Sequence, residues 1–434
     1  MLPIQLLRDN PDTVRHALQL RHADDAALAL VDRAIQLDSD RRQTLVEVEQ
    51  LKAQRNQAGK AIGQAKDDAE RQTIIDAQRQ TADRIDELEA QQRRIDTEIR
   101  DTLSQLPNLV DPTTPEGGGE DDNTELRRSN DPPDYEFDPK PHWEIGEQLG
   151  IIDTETAAAI AGTRMYMLKG PGAKLQRALI GYFLDHHEQN GYTEVYVPTM
   201  VREETMWAAA KLPKFGDTMF HDHQDDHWFI PTAEVPLTVM HQDTILEPAQ
   251  LPLKYTAHSP CYRREKVAHG RDVRGIKRVF QFEKVELYQF TKPEDSEAAL
   301  EDMLHQAEEL LKELGLTYRI LNICSGDIGF TATKQYDLEV WAPGAREWLE
   351  VGSTSNCTDF QSRRTNTRYR PESEDDSKKK TRPEYVHTLN GSGLALPRII
   401  AAILETYQRP DGSVEIPQIL QHRMGRLMQI TAPS

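Results

Sequence analysis

Cys261 to Glu286 reads CYRREKVAHGRDVRGIKRVFQFEKVE. From Cys261 to Arg278 it carries seven Lys or Arg (Arg263, Arg264, Lys266, Arg271, Arg274, Lys277, Arg278) against two acids (Glu265, Asp272), a local charge of +5 in a chain of formal net charge −20. A cluster of that sign in an acidic protein suggests a bound polyanion. Both flanks read as strands. In Val279 to Glu286, Phe280, Phe282 and Lys284 share one parity with Glu286. Gly270 and Gly275 lie between, where a loop must bend. The stretch therefore predicts two antiparallel strands joined by a long basic loop. An Arg at a strand end can grip phosphate and carboxylate with its planar fork. An aromatic on the facing strand can stack on a purine. On charge alone, a surface hairpin with solvated charges fits equally well.

The order of the residues favours the first reading. Tyr262-Arg263-Arg264-Glu265, then Gly270-Arg271-Asp272 with Arg274-Gly275, then Arg278-Val279 with Gln281-Phe282 and Lys284-Val285-Glu286, resembles motif 2 of the seryl-tRNA synthetases, a class II aminoacyl-tRNA synthetase family. The resemblance extends over nearly the whole chain.

Length and composition are consistent with it. The 434 residues predict two or three domains, and 37% hydrophobic content is low for a core throughout, which points to a long water-exposed element. Cys261, Cys324 and Cys357 form no CxxC pair, so neither a disulfide framework nor a zinc knuckle is expected. The opening MLPIQLLRDNPD has no apolar segment of signal-peptide length, and no run is long enough to span a membrane. A reducing cytoplasm is the expected location. Net acidity argues against a general nucleic-acid coat and allows a local RNA site.

Residues 1 to about 37 predict a short helical cap, with Asn10-Pro11-Asp12 as a helix start. No proline follows until Pro107. Val48, Leu51, Arg55, Ala58 and Ile62 step by three and four, as do Ile85, Leu88, Gln92, Ile95 and Ile99. Both are heptad seams, broken at GQAKDDAER from Gly63 to Arg71. Two helices of about 30 residues, folded back on each other, would make an arm on the order of 45 Å long. On pattern alone a structural or dimerising coiled coil is the favoured reading. Its cations (Arg41, Arg42, Lys52, Arg55, Lys60, Lys66, Arg71, Arg79, Arg84, Arg93, Arg94, Arg100) nearly match its acids, so it could lie along RNA phosphates. The resemblance implies that such an arm grips the long variable arm of serine tRNA; the heptads alone do not.

Pro107 to Pro141, with seven prolines and Gly117-Gly118-Gly119, reads as a linker. The domains expected are an arm over 1–108, a linker over 109–141 and a catalytic domain over 142–434. Ala173 to Asn190 predicts an amphipathic helix stopped by Gly191, followed by a strand from Tyr192 to Val197 and Pro198. Helix, strand and proline (about 174–198) resemble motif 1, the class II dimer interface. His221, His223 and His227 have a spacing that invites a metal reading, but they sit on a polar hairpin tip and are not expected to bind one.

Thr232-Ala233-Glu234 resembles the family's serine-binding triplet. Upstream, Ala208-Ala209-Ala210-Lys211 stands where many relatives have a Gly-Thr-Gly turn, so the conformation of 208–215 is left open. Trp348 to Ser353 predicts a strand, with Arg363 and Arg364 beyond it as candidates for the tRNA acceptor end. Pro371 to Pro383 reads as a surface insertion. Leu389-Asn390-Gly391-Ser392-Gly393-Leu394-Ala395-Leu396-Pro397-Arg398 resembles motif 3 (about 389–404). Its glycines are expected to let backbone approach the ligand, and Arg398 to leave the first turn of a helix begun by Pro397.

The resemblance implies an α+β fold: a class II antiparallel sheet of six or seven strands flanked by helices, preceded by an antiparallel helical-hairpin (coiled-coil) arm, in a homodimer. It implies attachment of serine to its tRNA through a seryl-adenylate made from L-serine and ATP, and leaves room for selenocysteine tRNA as a second acceptor. It implies Arg263 and Arg398 as catalytic. For serine it implies Thr232, Ala233, Glu234, Arg263, Glu286, Asn390 and Ser392. For ATP it implies Arg263, Arg264, Glu265, Arg278, Val279, Phe282, Glu350, Val351, Gly352, Ser353 and Arg398, with Glu350 and Ser353 holding Mg²⁺. Two other readings stand beside it. One is a ligase for another amino acid or a carrier protein. The other is a non-catalytic RNA-binding paralogue, which would be expected to have lost Arg263, Arg398 or Glu350.

Overall fold

The computed structural model describes residues 1–63, 67–266, 274–372 and 381–433, without the side chain of Glu70. Gly270, Arg271 and Asp272 of the basic loop, Lys66 of the arm and 373–380 of the expected insertion lie outside the described residues. The chain forms two compact units, Met1–Pro107 and Asn108–Ser434.

The first unit is helical: α1 Ile4–Asp9, α2 Pro11–Leu20, α3 Asp25–Ile62 and α4 Asp68–Ser104. Pro11 opens α2, its missing N–H costing nothing there. Asp24 caps α3 by accepting from Ala27 N at 2.9 Å. Helices α3 and α4 run antiparallel. Arg33 pairs with Glu98, Arg41 with Asp96, Lys52 with Glu89 and Arg84 with Glu47. At 38 and 37 residues they are longer than expected, each about 55 Å. The seam continues beyond the heptads quoted above, through buried Val31, Ala34 and Leu37 on α3 and Leu103 on α4. The ion pairs also employ cations that the sequence offered to RNA. Among the described residues, Arg55, Lys60, Arg71, Arg93 and Arg94 have no ion pair.

The second unit is built on an eight-stranded sheet: β1 Thr124–Arg128, β2 Thr193–Glu194, β3 Leu253–Tyr262, β4 Gln281–Thr291, β5 Tyr318–Asn322, β6 Lys334–Ala342, β7 Glu347–Thr358 and β8 His387–Ala395. Their order is β1-β5-β6-β7-β8-β4-β3-β2. All pairs are antiparallel except β2 with β3. The strand count exceeds the expectation because β1 comes from the stretch read as a linker. That stretch is not a free tether. Asn108 Nδ2 donates to Cys357 O at 2.9 Å, Asp111 N to Thr333 O at 2.9 Å, and β1 pairs with β5. The strand of motif 1 is shorter than expected. Val195 N still donates to Thr256 O at 2.8 Å, but pairing ends before Pro198.

Helices α5 Pro171–Gln189, α6 Ser296–Glu313 and α7 Leu396–Thr406 cover one face of the sheet. Alternation on β4 explains which face is which. Val285 and Leu287 join Leu179, Phe183, Leu304 and Ile400 in the main core. The even residues point the other way. Tyr288 and Phe290 are covered there by Val197, Ala233 and Leu237. That cover stops at Glu286, and the polar face from Phe282 to Glu286 is where a site can open.

Candidate active site

Two adjoining hollows open on this face. A cavity of about 620 Å³ is lined by Lys211, Thr218, Met219, Pro231 and Thr232. A cleft of about 200 Å³ is lined by Lys277, Val279, Phe282, Lys284, Glu350, Val351, Gly352, Ser353, Ser392 and Arg398. Arg263, Glu265 and Arg278 line both.

The polar pocket begins at the inner end of the cavity. Thr232 Oγ1 donates to Glu286 Oε2 at 2.6 Å. Glu286 also pairs with Lys284 Nζ, two residues along the same face of β4. Burial pushes the Glu286 carboxyl up; Lys284 pulls it down and Glu234 adds to the rise. Ser392 faces Glu286 across the β4–β8 ladder. Glu234 is buried at the start of a short helix, Glu234–Thr238. Its Oε1 accepts from Gln361 Nε2 at 2.7 Å and Asn390 Nδ2 at 3.3 Å, and its Oε2 from Lys211 Nζ at 2.7 Å.

In the cleft, Arg263 lies over the Phe282 ring at 5.1 Å and donates through Nε to Pro231 O at 3.3 Å. Glu265 has φ 42°, an unusual left-handed conformation for a non-glycine, and Arg278 Nη1 is 3.5 Å from its Oε2. Arg398, in the first turn of α7, reaches back to the Glu350 backbone carbonyl and lies 3.2 Å from Glu350 Oε2. Desolvation by the surrounding protein works to raise the Glu350 carboxyl, which is 47% exposed, but Arg398, then Arg263 and Arg278, outweigh it and hold it below the usual carboxylate range. Arg263 and Arg398, 135 positions apart in sequence, thus line a single cleft.

Most of the expected site residues converge here, with four departures. Arg264 lines neither hollow: just past the end of β3 its N–H bonds Thr218 O at 3.0 Å, and its side chain stacks on Phe220 at 4.5 Å and donates to Met219 O at 2.7 Å. The Ala233 side chain packs into the apolar cluster below the pocket, leaving only its backbone to the site. Gly391 and Gly393 do not serve ligand approach. They face the helix layer, where a Cβ would come within 2.5 Å of Met303 Sδ and 2.8 Å of His187 Nε2. Arg364 is buried, bonding the carbonyls of Trp207 and Leu212 at 2.8 and 3.1 Å, and burial lowers its pKa to about 10. It is a loop anchor rather than a tRNA contact. Conversely, Lys211, Gln361 and Lys284 were not anticipated in the site. Only Lys284 had a signal, its shared parity with Phe282 and Glu286.

The donor set suits a hard divalent cation. Glu350 and Ser353 offer a carboxylate and a hydroxyl oxygen, the kind of ligand Mg²⁺ takes, while the guanidiniums beside them suit the phosphates that would share the ion.

Comparison with known proteins gives a concordant result. Residues 1–110 match the family described as the seryl-tRNA synthetase N-terminal domain, and residues 218–407 the tRNA synthetase class II core domain (G, H, P, S and T). The chain is 51% identical over 425 residues to a serine–tRNA ligase of Roseiflexus sp. (strain RS-1), covering 98% of each. It is 49% identical over 431 residues to one of Thermomicrobium roseum, covering 99% of this chain and 95% of the relative. A crystal structure of seryl-tRNA synthetase from Pyrococcus horikoshii complexed with ATP matches with a TM-score of 0.93 at 36% identity, covering 100% of both chains.

Proposed function

The chain belongs to the seryl-tRNA synthetase family, and from that membership we propose that it charges serine tRNA through a seryl-adenylate formed from L-serine and ATP. The observation that carries the reading is the join at Arg263 between a pocket of two buried carboxylates and a cleft bearing Phe282, Glu350 and Arg398. A small amino acid fits the first and a nucleotide the second.

In the first step the serine carboxylate attacks the α-phosphorus of ATP in line and pyrophosphate leaves. The chain's task is positioning and charge stabilisation. Arg263 bridges the serine carboxylate and the α-phosphate. Phe282 stacks on adenine, Glu265 accepts from its amino group and Val279 offers backbone contacts. Arg278 and Arg398 steady the phosphates. Glu350 and Ser353 would hold Mg²⁺, which would supply charge neutralisation at the phosphates. Glu234 receives the serine ammonium. Thr232, Glu286 and Ser392 surround its hydroxyl, with Asn390 supporting Glu234. In the second step a hydroxyl of the terminal tRNA ribose attacks the seryl carbonyl.

The arm α3–α4 binds the tRNA in this reading, with Arg55, Lys60, Arg71, Arg93 and Arg94 toward phosphate. A homodimer is supported by an apolar surface at motif 1, where Tyr196 is 96% and Met200 54% exposed beside Val197 and Met240. Sedimentation tests it. A cytoplasmic location belongs to the same proposal. Among the described residues no helix is long and apolar enough to cross a membrane. Selenocysteine tRNA is a second acceptor in the proposal. ATP–pyrophosphate exchange across the amino acids, then charging of serine and selenocysteine tRNA transcripts, tests the whole scheme. Exchange without preference for serine would refute it.

A further inference from the structure

Glu234 already holds a cation supplied by the chain. Lys211 Nζ lies 2.7 Å from Glu234 Oε2, with the two side chains only 17% and 7% exposed. Gln361 and Asn390 occupy the other carboxylate oxygen at 2.7 and 3.3 Å. An incoming ammonium group must use this same carboxylate. Two ammonium groups crowded on one shielded carboxylate repel each other, so one must leave.

The lysine's backbone is pinned. Lys211 N donates to Met206 O at 2.9 Å, and Lys211 O accepts from Phe215 N at 2.9 Å. Arg364 holds the loop on both sides through Trp207 O and Leu212 O. Ala210 is in the left-handed region at φ 60°. The loop therefore moves only at a cost, whereas the lysine side chain has four rotatable bonds. It also lines the cavity of about 620 Å³ beside Phe215, Thr218 and Met219. A released side chain has room to swing there.

We propose that Lys211 is a side-chain gate on the amino-acid pocket: it occupies Glu234 until the α-ammonium of the substrate displaces it. The inference rests on the reading of Glu234 as the ammonium acceptor. Lys211 acts through Glu234 and is a positioning residue, so its signature is confined to amino-acid affinity. A ligand without a cation cannot exchange with the lysine and leaves the gate shut.

Serine-dependent ATP–pyrophosphate exchange by Lys211→Met, Lys211→Arg and Glu234→Gln tests the gate. Lys211→Met should lower the serine KM by roughly five- to tenfold, the factor recovered when a minor competent state becomes the major one. The change should fall on the serine KM far more than on kcat, and the KM for ATP, whose cleft Lys211 does not line, should stay at the value of the unaltered chain. Lys211→Arg keeps a cation on Glu234 and should leave the serine KM unchanged or raised. If Lys211→Met does not fold, Lys211→Gln carries the same expectation. Glu234→Gln should raise the serine KM steeply. An unchanged or raised serine KM in Lys211→Met, with Glu234→Gln impaired, overturns the gate and leaves the pocket reading standing. An unimpaired Glu234→Gln overturns the pocket reading, and the gate with it.

Discussion

Thr232 Oγ1 donates to Glu286 Oε2 at 2.6 Å, although 54 positions separate the two residues. Glu286 is 2% exposed and sits where the apolar cover on the even face of β4 ends. A hydroxyl read by such a buried acceptor is a strong discriminator, because an analogue lacking it leaves the remaining acceptor capacity of the carboxylate unfilled and away from water. Glu286→Ala should therefore lower serine-dependent adenylation by on the order of 10³-fold or more and narrow the preference for serine over alanine. Pyrophosphate exchange with each amino acid measures both. Unchanged serine-dependent exchange would remove Glu286 from the pocket.

Glu350 is held among Arg398, Arg263 and Arg278 and supplies the only carboxylate of the expected metal pair. Glu350→Gln should raise the Mg²⁺ concentration for half-maximal exchange on the order of 10- to 100-fold, the scale on which even outer-shell partners alter metal affinity. A Mg²⁺ titration at saturating ATP reads this directly. An unshifted midpoint would assign the metal elsewhere.

The arm predicts a split between the two half-reactions. Arg55 and Lys60 have no ion pair among the described residues, unlike Arg41, Lys52 and Arg84. Arg55→Glu with Lys60→Glu should raise the KM for serine tRNA tenfold or more, since each lost phosphate contact weakens binding and lowers its salt dependence. Pyrophosphate exchange should be untouched. Equal loss in both assays would point to damage to the fold instead.

Asp38 ties α1 to α3. Arg8 grips it with Nε and Nη2 at 2.8 and 2.9 Å, and Arg42 Nε is 3.1 Å away. The hydrogen bond from Arg8 is the main reason its carboxyl lies below the usual range. The unfolded chain binds this proton more readily than the folded one. The stabilisation is thus present above about pH 4 and lost as pH falls through the lowered value. Arg8 is 35% exposed, so screening trims the pair toward the low end of roughly 1–3 kcal/mol. Asp38→Asn should speed hydrogen exchange in α1 and the start of α3 at neutral pH and flatten its acid dependence. An unaltered pH profile would show that Asp38 does not carry it.

Local pattern was enough to read the helices of the arm, the strands of motif 2, the helix begun at Pro397 in motif 3 and the order of the chemical groups along the chain. Heptad spacing, period-two alternation and proline are short-range signals, and they act within a few residues of where they are written. Even Glu286 and Arg398 could be named as pocket groups, because motif order carried them. The partners of those groups were a different matter. Adjacent arginines, Arg263 and Arg264, part company just past the end of β3: Arg263 N bonds Phe280 O and its side chain lines the cleft, whereas Arg264 N bonds Thr218 O and its side chain lies on Phe220. Lys211 meets Glu234, and Gln361 meets the same carboxylate from 127 positions away. Gly391 and Gly393 serve the helices rather than the ligand. Such outcomes depend on ladder register and layer packing, which are set by contacts between segments far apart in the chain. A linear pattern holds the ingredients of those contacts but not their pairing.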